Sequence, residues 1–299
     1  MIAAIRRGAA TVAMSAVAAW GTQTPSPRDF TAEHLFTNNI EGPDVDRSGR
    51  LFVVNVEKDG TIGLVHADGK VDKFVDLPAG STANAIKFTR AGMMLLADYT
   101  GHNVLQLDPA TRKVTVYVHR DDFNQPNDLA ITRDDVLFAS DPHWATGTGK
   151  LWRIDPGPTP GTGVAVLLED KMGTTNGIEL SPDERTLYVA ESVQRRIWAY
   201  DVDPRRQIAN KRQLTSFPDY GLDGIKCDRD GALYVTRHGK GTVAVLSPRG
   251  ELLREVRLKG TKPSNLVFGG PDGRTVFVTL QDRGAIETFR VETPGRTWK

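Results

Sequence analysis

Six residues with a side-chain oxygen stand at corresponding places along the chain: Glu41, Asn84, Asn127, Asn176, Asp223 and Asn265. Each opens a copy of one pattern, EGPDVDRSGRLFVVN from Glu41, NAIKFTRAGMMLLAD from Asn84, NDLAITRDDVLFASD from Asn127, NGIELSPDERTLYVAE from Asn176, DGIKCDRDGALYVTR from Asp223 and NLVFGGPDGRTVFVTL from Asn265. Gathered at one place, two carboxylates and four amides would carry a charge of about −2, which suits one divalent cation, whereas six carboxylates would repel one another severely. Oxygen-only donors favour Ca2+ or Mg2+, with Mn2+ or Zn2+ as substitutes. A single Asn or Asp at a strand end ordinarily serves the backbone alone. Six in register, two of them charged, argue for a shared site.

The heads recur every 42–49 residues, a propeller period. Within each copy the head starts an alternating apolar run, a polar turn follows (DRSG, TRAG, TRDD, SPDER, DRDG or GPDGR), and a second β-rich run closes a hairpin. A third run, such as KLWRIDP or RIWAYDV, and a fourth, such as KVTVYVH or ELLREVRL, complete each copy except the last. The fold class that follows is all-β, a six-bladed β-propeller with four antiparallel strands per blade. The missing strand of the last blade can come from 29–36, DFTAEHLF, so that the N terminus closes the ring and no edge is left open.

In such a ring the first strand of every blade lines the central channel, and the six heads share one rim. The second strand returns to that rim, so the segments after it overhang the heads: 55–60, 98–103, 141–150, 191–196, 237–242 and 281–284. The longest, DPHWATGTGK, holds Asp141, His143 and Trp144, the last two an amphipathic pair suited to a substrate ring. His238 holds the equivalent place in blade five. Asn84, Asn127, Asp141, His143, Trp144 and His238 are the candidate substrate contacts.

Composition narrows the partners. A net charge of +1, without long runs of one sign, gives no footprint for nucleic acid and suits a small, largely neutral ligand. Cys227 is the only cysteine, so no intramolecular disulfide can form, and its place in the alternation IKC reads as packing. No Cys/His set has zinc-finger spacing. Gly239-Lys240-Gly241-Thr242 lacks the upstream glycine of a phosphate loop and reads as a hairpin turn, and no G-x-S-x-G elbow supplies a serine nucleophile.

Residues 1–28 differ from the rest, with Arg6 and Arg7 ahead of a small-residue apolar run and Pro25 and Pro27 in a linker. They read as a signal peptide, which would export the protein to the periplasm or beyond, or as a flexible arm, which would leave it cytoplasmic. The run is too short for stable membrane insertion. Residues 29–299 form a single domain, and nothing in the pattern specifies an oligomeric state.

The motifs EGP at 41–43, PND at 126–128, NGIELSPDERTLYVAES at 176–192 and LDG at 222–224 resemble the regucalcin/gluconolactonase (senescence marker protein-like) family of six-bladed propeller lactonases. The likeness covers roughly residues 36–290 at blade spacing. It implies one divalent cation, most simply Ca2+, held by Glu41, Asn176 and Asp223, with Asn127 adjoining the cation or the substrate. It also implies hydrolysis of a lactone or ester, with organophosphate cleavage in some members. Several sugar-lactone members carry arginine two positions before the Asn of the PND motif, where this chain has Gln125, so the substrate class stays open. Metal-free strictosidine-synthase-like propellers share the fold, but Glu41 and Asp223 argue against that branch. The expected chemistry is attack of water on a carbonyl polarised by the cation, with Asp223 as base or nucleophile and Glu41 balancing charge. Two rivals stand beside it: a non-enzymatic module binding a small molecule, glycan or peptide on the same rim, and a phosphotriester hydrolase using the same metal site.

Overall fold

The computed structural model describes residues 26–298, and the leader or arm expected over 1–28 lies outside them except for 26–28. Six four-stranded antiparallel sheets follow one another, and the described residues contain no helix. The inner strands are Phe36–Val45, Ala83–Phe88, Leu129–Ile131, Thr175–Leu180, Gly221–Cys227 and Pro263–Gly269. Each is followed in order by its three partners, so every blade but the last is a simple meander.

What holds the blades to one another is visible in the alternation. One face of each sheet packs against the facing side of the next, and the buried side chains divide into six apolar clusters, one at each seam. Phe52, Val54 and Ile62 of blade one meet Ile86, Leu96 and Leu105 of blade two. Around the ring, Ile40, Val53 and Val56 of blade one meet Val267, Phe277 and Ile286 of blade six. Cys227 is buried in the seam between blades four and five, where burial pushes its thiol well above the ordinary range, in keeping with the packing role read from the sequence.

The N terminus closes the ring, as expected, but with a shorter strand. Arg28–Asp29 pairs with Ala285–Arg290, and the chain then continues to Phe36 through further backbone bonds to Arg283, Gly284 and Ile286. Arg283 fastens this seam. Its guanidinium binds Asp29, Glu33 and the fully buried Glu287, while Glu287 also accepts from the backbone of Lys259 and Gly260 at 2.9 and 3.0 Å. Burial lowers the Arg283 pKa, and its three carboxylate partners more than offset that. Removing one partner of a buried ion pair costs about 3–5 kcal/mol, and the amides left on Glu287 soften this to about 2–3 kcal/mol for Arg283→Ala. A drop in Tm of roughly 4–9 °C is expected by calorimetry. An unchanged Tm would mean that the seam is held by its backbone bonds alone.

Candidate active site

The six heads do lie on one rim, and the backbone gives the reason. In blades two, four, five and six the pairing of the inner strand with the second strand slips at the head: between Ala83 and Ala85, Thr175 and Ile178, Leu222 and Ile225, and Pro263 and Leu266. In blade one Glu41 pairs with Val54 between two such slips. In blade three Asn127 precedes the strand, and its amide donates to the Ser140 carbonyl at 2.9 Å. A bulge releases a residue from strict alternation and redirects its side chain, here towards the axis. Alternation in the sequence gave no sign of these slips, because the apolar pattern resumes after each one.

The rim is tightly built. Gly42 has φ +45°, and a Cβ there would stand 2.4 Å from the Asn84 carbonyl oxygen of the next blade. A Cβ on Gly177 would stand 2.2 Å from the Asp223 carbonyl oxygen and 2.7 Å from the Ile225 amide. The residue after the head is thus the point where neighbouring inner strands touch. For Gly177→Ala we expect a loss of about 1–3 kcal/mol, because backbone rather than a flexible side chain must yield. Chemical denaturation that returned the wild-type midpoint would show that the two strands separate freely.

Electrostatics distinguish the two acids from the amides. Burial pushes the Glu41 carboxyl well above the usual carboxylate range, and the nearby Asp223 raises it further, against donation from the Gly42 amide at 3.1 Å and from Asn265. Asp223 is raised to about 8, first by burial and then by Asp128, although Asn176 donates to it and Lys226 opposes the rise. The two acids lie close enough to disfavour ionising together. Asn127 is 5% exposed, and its Oδ1 is buried without a partner. Asn84 Nδ2 donates to the Asn127 carbonyl at 3.4 Å. Glu41 and Asp223 therefore bring two mutually unfavourable carboxylates together, with Asn265 and Asn176 donating to them and Asn127 Oδ1 left without a partner on the same ring of heads, a donor set that fits a divalent cation among hard oxygens. Among the described residues no group of three or more His, Cys, Asp or Glu is placed to hold a metal, so amide oxygens would complete the set.

Asp128 was missed from the sequence. It follows the head of blade three, where the other blades have Gly42, Ala85, Gly177, Gly224 and Leu266. A charged residue at a position otherwise small or apolar was the available signal. Asp128 is 1% exposed, and its Oδ2 lies 3.3 Å from Lys226 Nζ, 3.4 Å from Asn265 Nδ2 and 3.5 Å from the Ile178 amide. It ties blade three across the axis to blades five and six.

The overhanging segments are mixed. Asp141 corrects the expectation of a substrate contact. It is fully buried, and its carboxylate accepts from the Asn124 and Gln125 amides at 2.9 and 2.6 Å and from Trp152 Nε1 at 2.8 Å. With both oxygens engaged it anchors the segment leading to Asn127 and has none to offer a ligand. His143 is half-buried, with Nδ1 2.8 Å from Thr146 Oγ1. Trp144 is 39% exposed, and its amide donates to Gln125 Oε1 at 3.2 Å, so Gln125 holds the Trp144 loop. His238 is half-buried and linked through Nε2 to Gln281 Oε1 at 3.0 Å.

Residues 28–282 match the family described as SMP-30/Gluconolactonase/LRE-like region. Over 232 residues the chain is 28% identical to a gluconolactonase of Zymomonas mobilis, covering 68% of this chain and 63% of that protein. Over 218 residues it is 29% identical to a lactonohydrolase of Aspergillus oryzae, covering 62% and 49%. The alignments thus span three fifths and half of those relatives. In three dimensions it is similar to a calcium-binding regucalcin of Agrobacterium tumefaciens, with a TM-score of 0.79 at 20% identity over 92% of this chain and 96% of that one. At that identity the likeness speaks for the fold.

Proposed function

Because the chain belongs to the SMP-30/gluconolactonase/LRE-like family, we propose that its central rim hydrolyses a cyclic ester, opening a lactone to a hydroxy acid. The observation that carries this reading is the pair of buried acids, Glu41 and Asp223, both raised by burial and by neighbouring carboxylates, on the same ring of heads as an unpartnered Asn127 Oδ1. A purely structural rim would have no reason to bear that desolvation cost.

Glu41, Asn176 and Asp223 would hold a divalent cation, with Asn127 beside it. When bound, the cation supplies Lewis-acid polarisation of the ester carbonyl. The residues do the rest. Asp223, kept in place by the Asn176 amide, orients a water molecule and accepts its proton as the water oxygen bonds to the carbonyl carbon. The ring C–O bond then breaks, and the leaving alkoxide takes the proton held by Asp223 to become the hydroxyl of the product, which returns the carboxylate. Glu41 balances charge without moving a proton, and Asn127 positions the carbonyl.

Gln125 and Trp144 speak to substrate class. Gln125 spends its side-chain oxygen on the Trp144 amide, and the indole stays open at the rim. A neutral amide and an exposed aromatic ring favour a lactone with an apolar ring or chain over a polyhydroxylated one. The test is a panel of aldonolactones, alkyl and aryl lactones, aryl esters and phosphotriesters, assayed with EDTA and then with calcium, magnesium, manganese and zinc restored singly. We expect chelator-sensitive turnover that is highest on the apolar lactones. No turnover with any metal would favour a binding module, and turnover confined to phosphotriesters would move the reading to that chemistry.

A further inference from the structure

The channel has a second mouth, opposite the heads, and a cavity of about 750 Å³ opens there. It is walled by the far ends of the inner strands, by the first turn of several blades and by the C-terminal tail. The third residue after the head is charged in four blades: Asp44, Lys87, Glu179 and Lys226. All four reach this cavity. The tail crosses beneath them, with its Arg296 amide on the Cys227 carbonyl at 3.0 Å and its guanidinium on Glu179 Oε1 at 2.7–2.8 Å.

Three of these four charges are satisfied to different degrees within the protein. Glu179 is engaged by Arg296 and by the Leu180 amide at 2.8 Å. Lys226 donates to Asp128 at 3.3 Å and to the Ile225 carbonyl at 2.9 Å. Asp44 accepts from the Val45 amide at 3.0 Å. Lys87 differs from the others. It is 6% exposed, its ammonium makes no hydrogen bond among the described residues, and the nearest carboxylate oxygen, on Asp44, is 3.9 Å away. A buried ammonium with three free donors is costly unless something accepts from it. At the entrance, Arg47 and Arg90 are exposed, and no ion pair or side-chain hydrogen bond among the described residues holds either guanidinium. Phe88, Phe268 and Trp298 line the same space.

We propose that this cavity is a second ligand site for a small organic carboxylate with an apolar body. The carboxylate accepts from Lys87 Nζ, the body lies against Phe88, Phe268 and Trp298, and Arg47 and Arg90 draw the anion in. The site is distinct from the rim of heads and does not depend on the reaction assigned there.

The probe is 4-fluorobenzoate, followed by ¹⁹F NMR titration of the full chain, with 4-fluorobenzyl alcohol as the neutral analogue and inorganic phosphate as the compact anion. Saturable binding of the benzoate is expected, at least about tenfold tighter than either control, since a charge-assisted hydrogen bond and an apolar contact must act together. Lys87→Met should weaken it about tenfold or more, while Asp223→Ala leaves it unchanged. The double variant Arg47→Ala/Arg90→Ala, altered only at exposed positions, should weaken it several-fold and keeps the test open if Lys87→Met does not fold. The proposal is overturned by absence of saturable binding, by equal binding of phosphate or the alcohol, by wild-type binding in a folded Lys87→Met or in the double arginine variant, or by loss of binding in Asp223→Ala.

Discussion

Replacing Asp223 by alanine is expected to lower kcat/KM on any lactone the protein hydrolyses by about a thousandfold or more, with the fold intact. A positioned general base contributes about 10²- to 10⁴-fold, and this residue would also be a ligand of the cation, so both contributions fall together. The fold should survive because burial of the Asp223 carboxyl opposes ionisation, as does the neighbouring Asp128. Removing it relieves Glu41, and at neutral pH in EDTA the variant should melt no lower than the wild type. Asp223→Asn separates the roles. An asparagine keeps a hard oxygen and can still face the Asn176 amide, but it cannot take a proton from water. It should retain measurable calcium binding by calorimetry while kcat falls nearly as far as in the alanine variant. Turnover within tenfold of wild type in Asp223→Asn would assign the proton to another group. Glu41 is the first to examine, as the other buried acid of the rim.

Much of this was legible in the chain because a propeller writes its architecture as repetition. The six heads, the hairpin turns and the fourth strands could be aligned by eye, and the seams followed from the alternation of apolar residues. What stayed hidden was whatever crosses between copies. The contact of Gly177 with the Asp223 carbonyl joins blades four and five, and the reach of Asp128 to Lys226 joins three and five. Neither is local in sequence, and neither leaves a periodic mark. Asp141 misled for the opposite reason. The second strand runs on past it to His143 and pairs Asp141 with Lys150, so the expected overhang shrinks to the turn 144–147, and polarity alone does not say whether a carboxylate faces solvent or three donors of its own chain. The lower cavity was equally silent, since Lys87 and Lys226 read as ordinary polar positions until the channel placed them with Arg296.

The acids of the rim should also make stability fall as pH rises when no cation is bound, and a bound cation should offset most of that fall. In the cation-free folded protein Asp223 titrates at about 8 against 3.8 for the free side chain, and Glu41 is raised as well. Between those values the folded state holds protons that the unfolded chain has released, so the stability these groups contribute is present at low pH and is lost as pH rises through about 4 to about 8. A saturating divalent cation needs both carboxylates ionised, so its stabilisation, RT ln(1 + [L]/Kd), grows over the same window as protons cease to compete. In EDTA, Tm should therefore fall by several degrees between about pH 5.5 and about pH 8.5, at roughly 2–4 °C per kcal/mol, and calcium should restore most of it at the upper pH and little at the lower. Asp44, Asp141 and Asp228 are also raised by burial and contribute with the same sign, so the diagnostic quantity is the difference from Asp223→Asn. In that variant one shifted acid is gone, and the EDTA curve should flatten while the calcium effect shrinks. Parallel EDTA curves for the two proteins would mean that Asp223 ionises freely in the fold. It would then be an ordinary ionised carboxylate in the cation-free fold, and the strained acid that supports the proposed site would be absent.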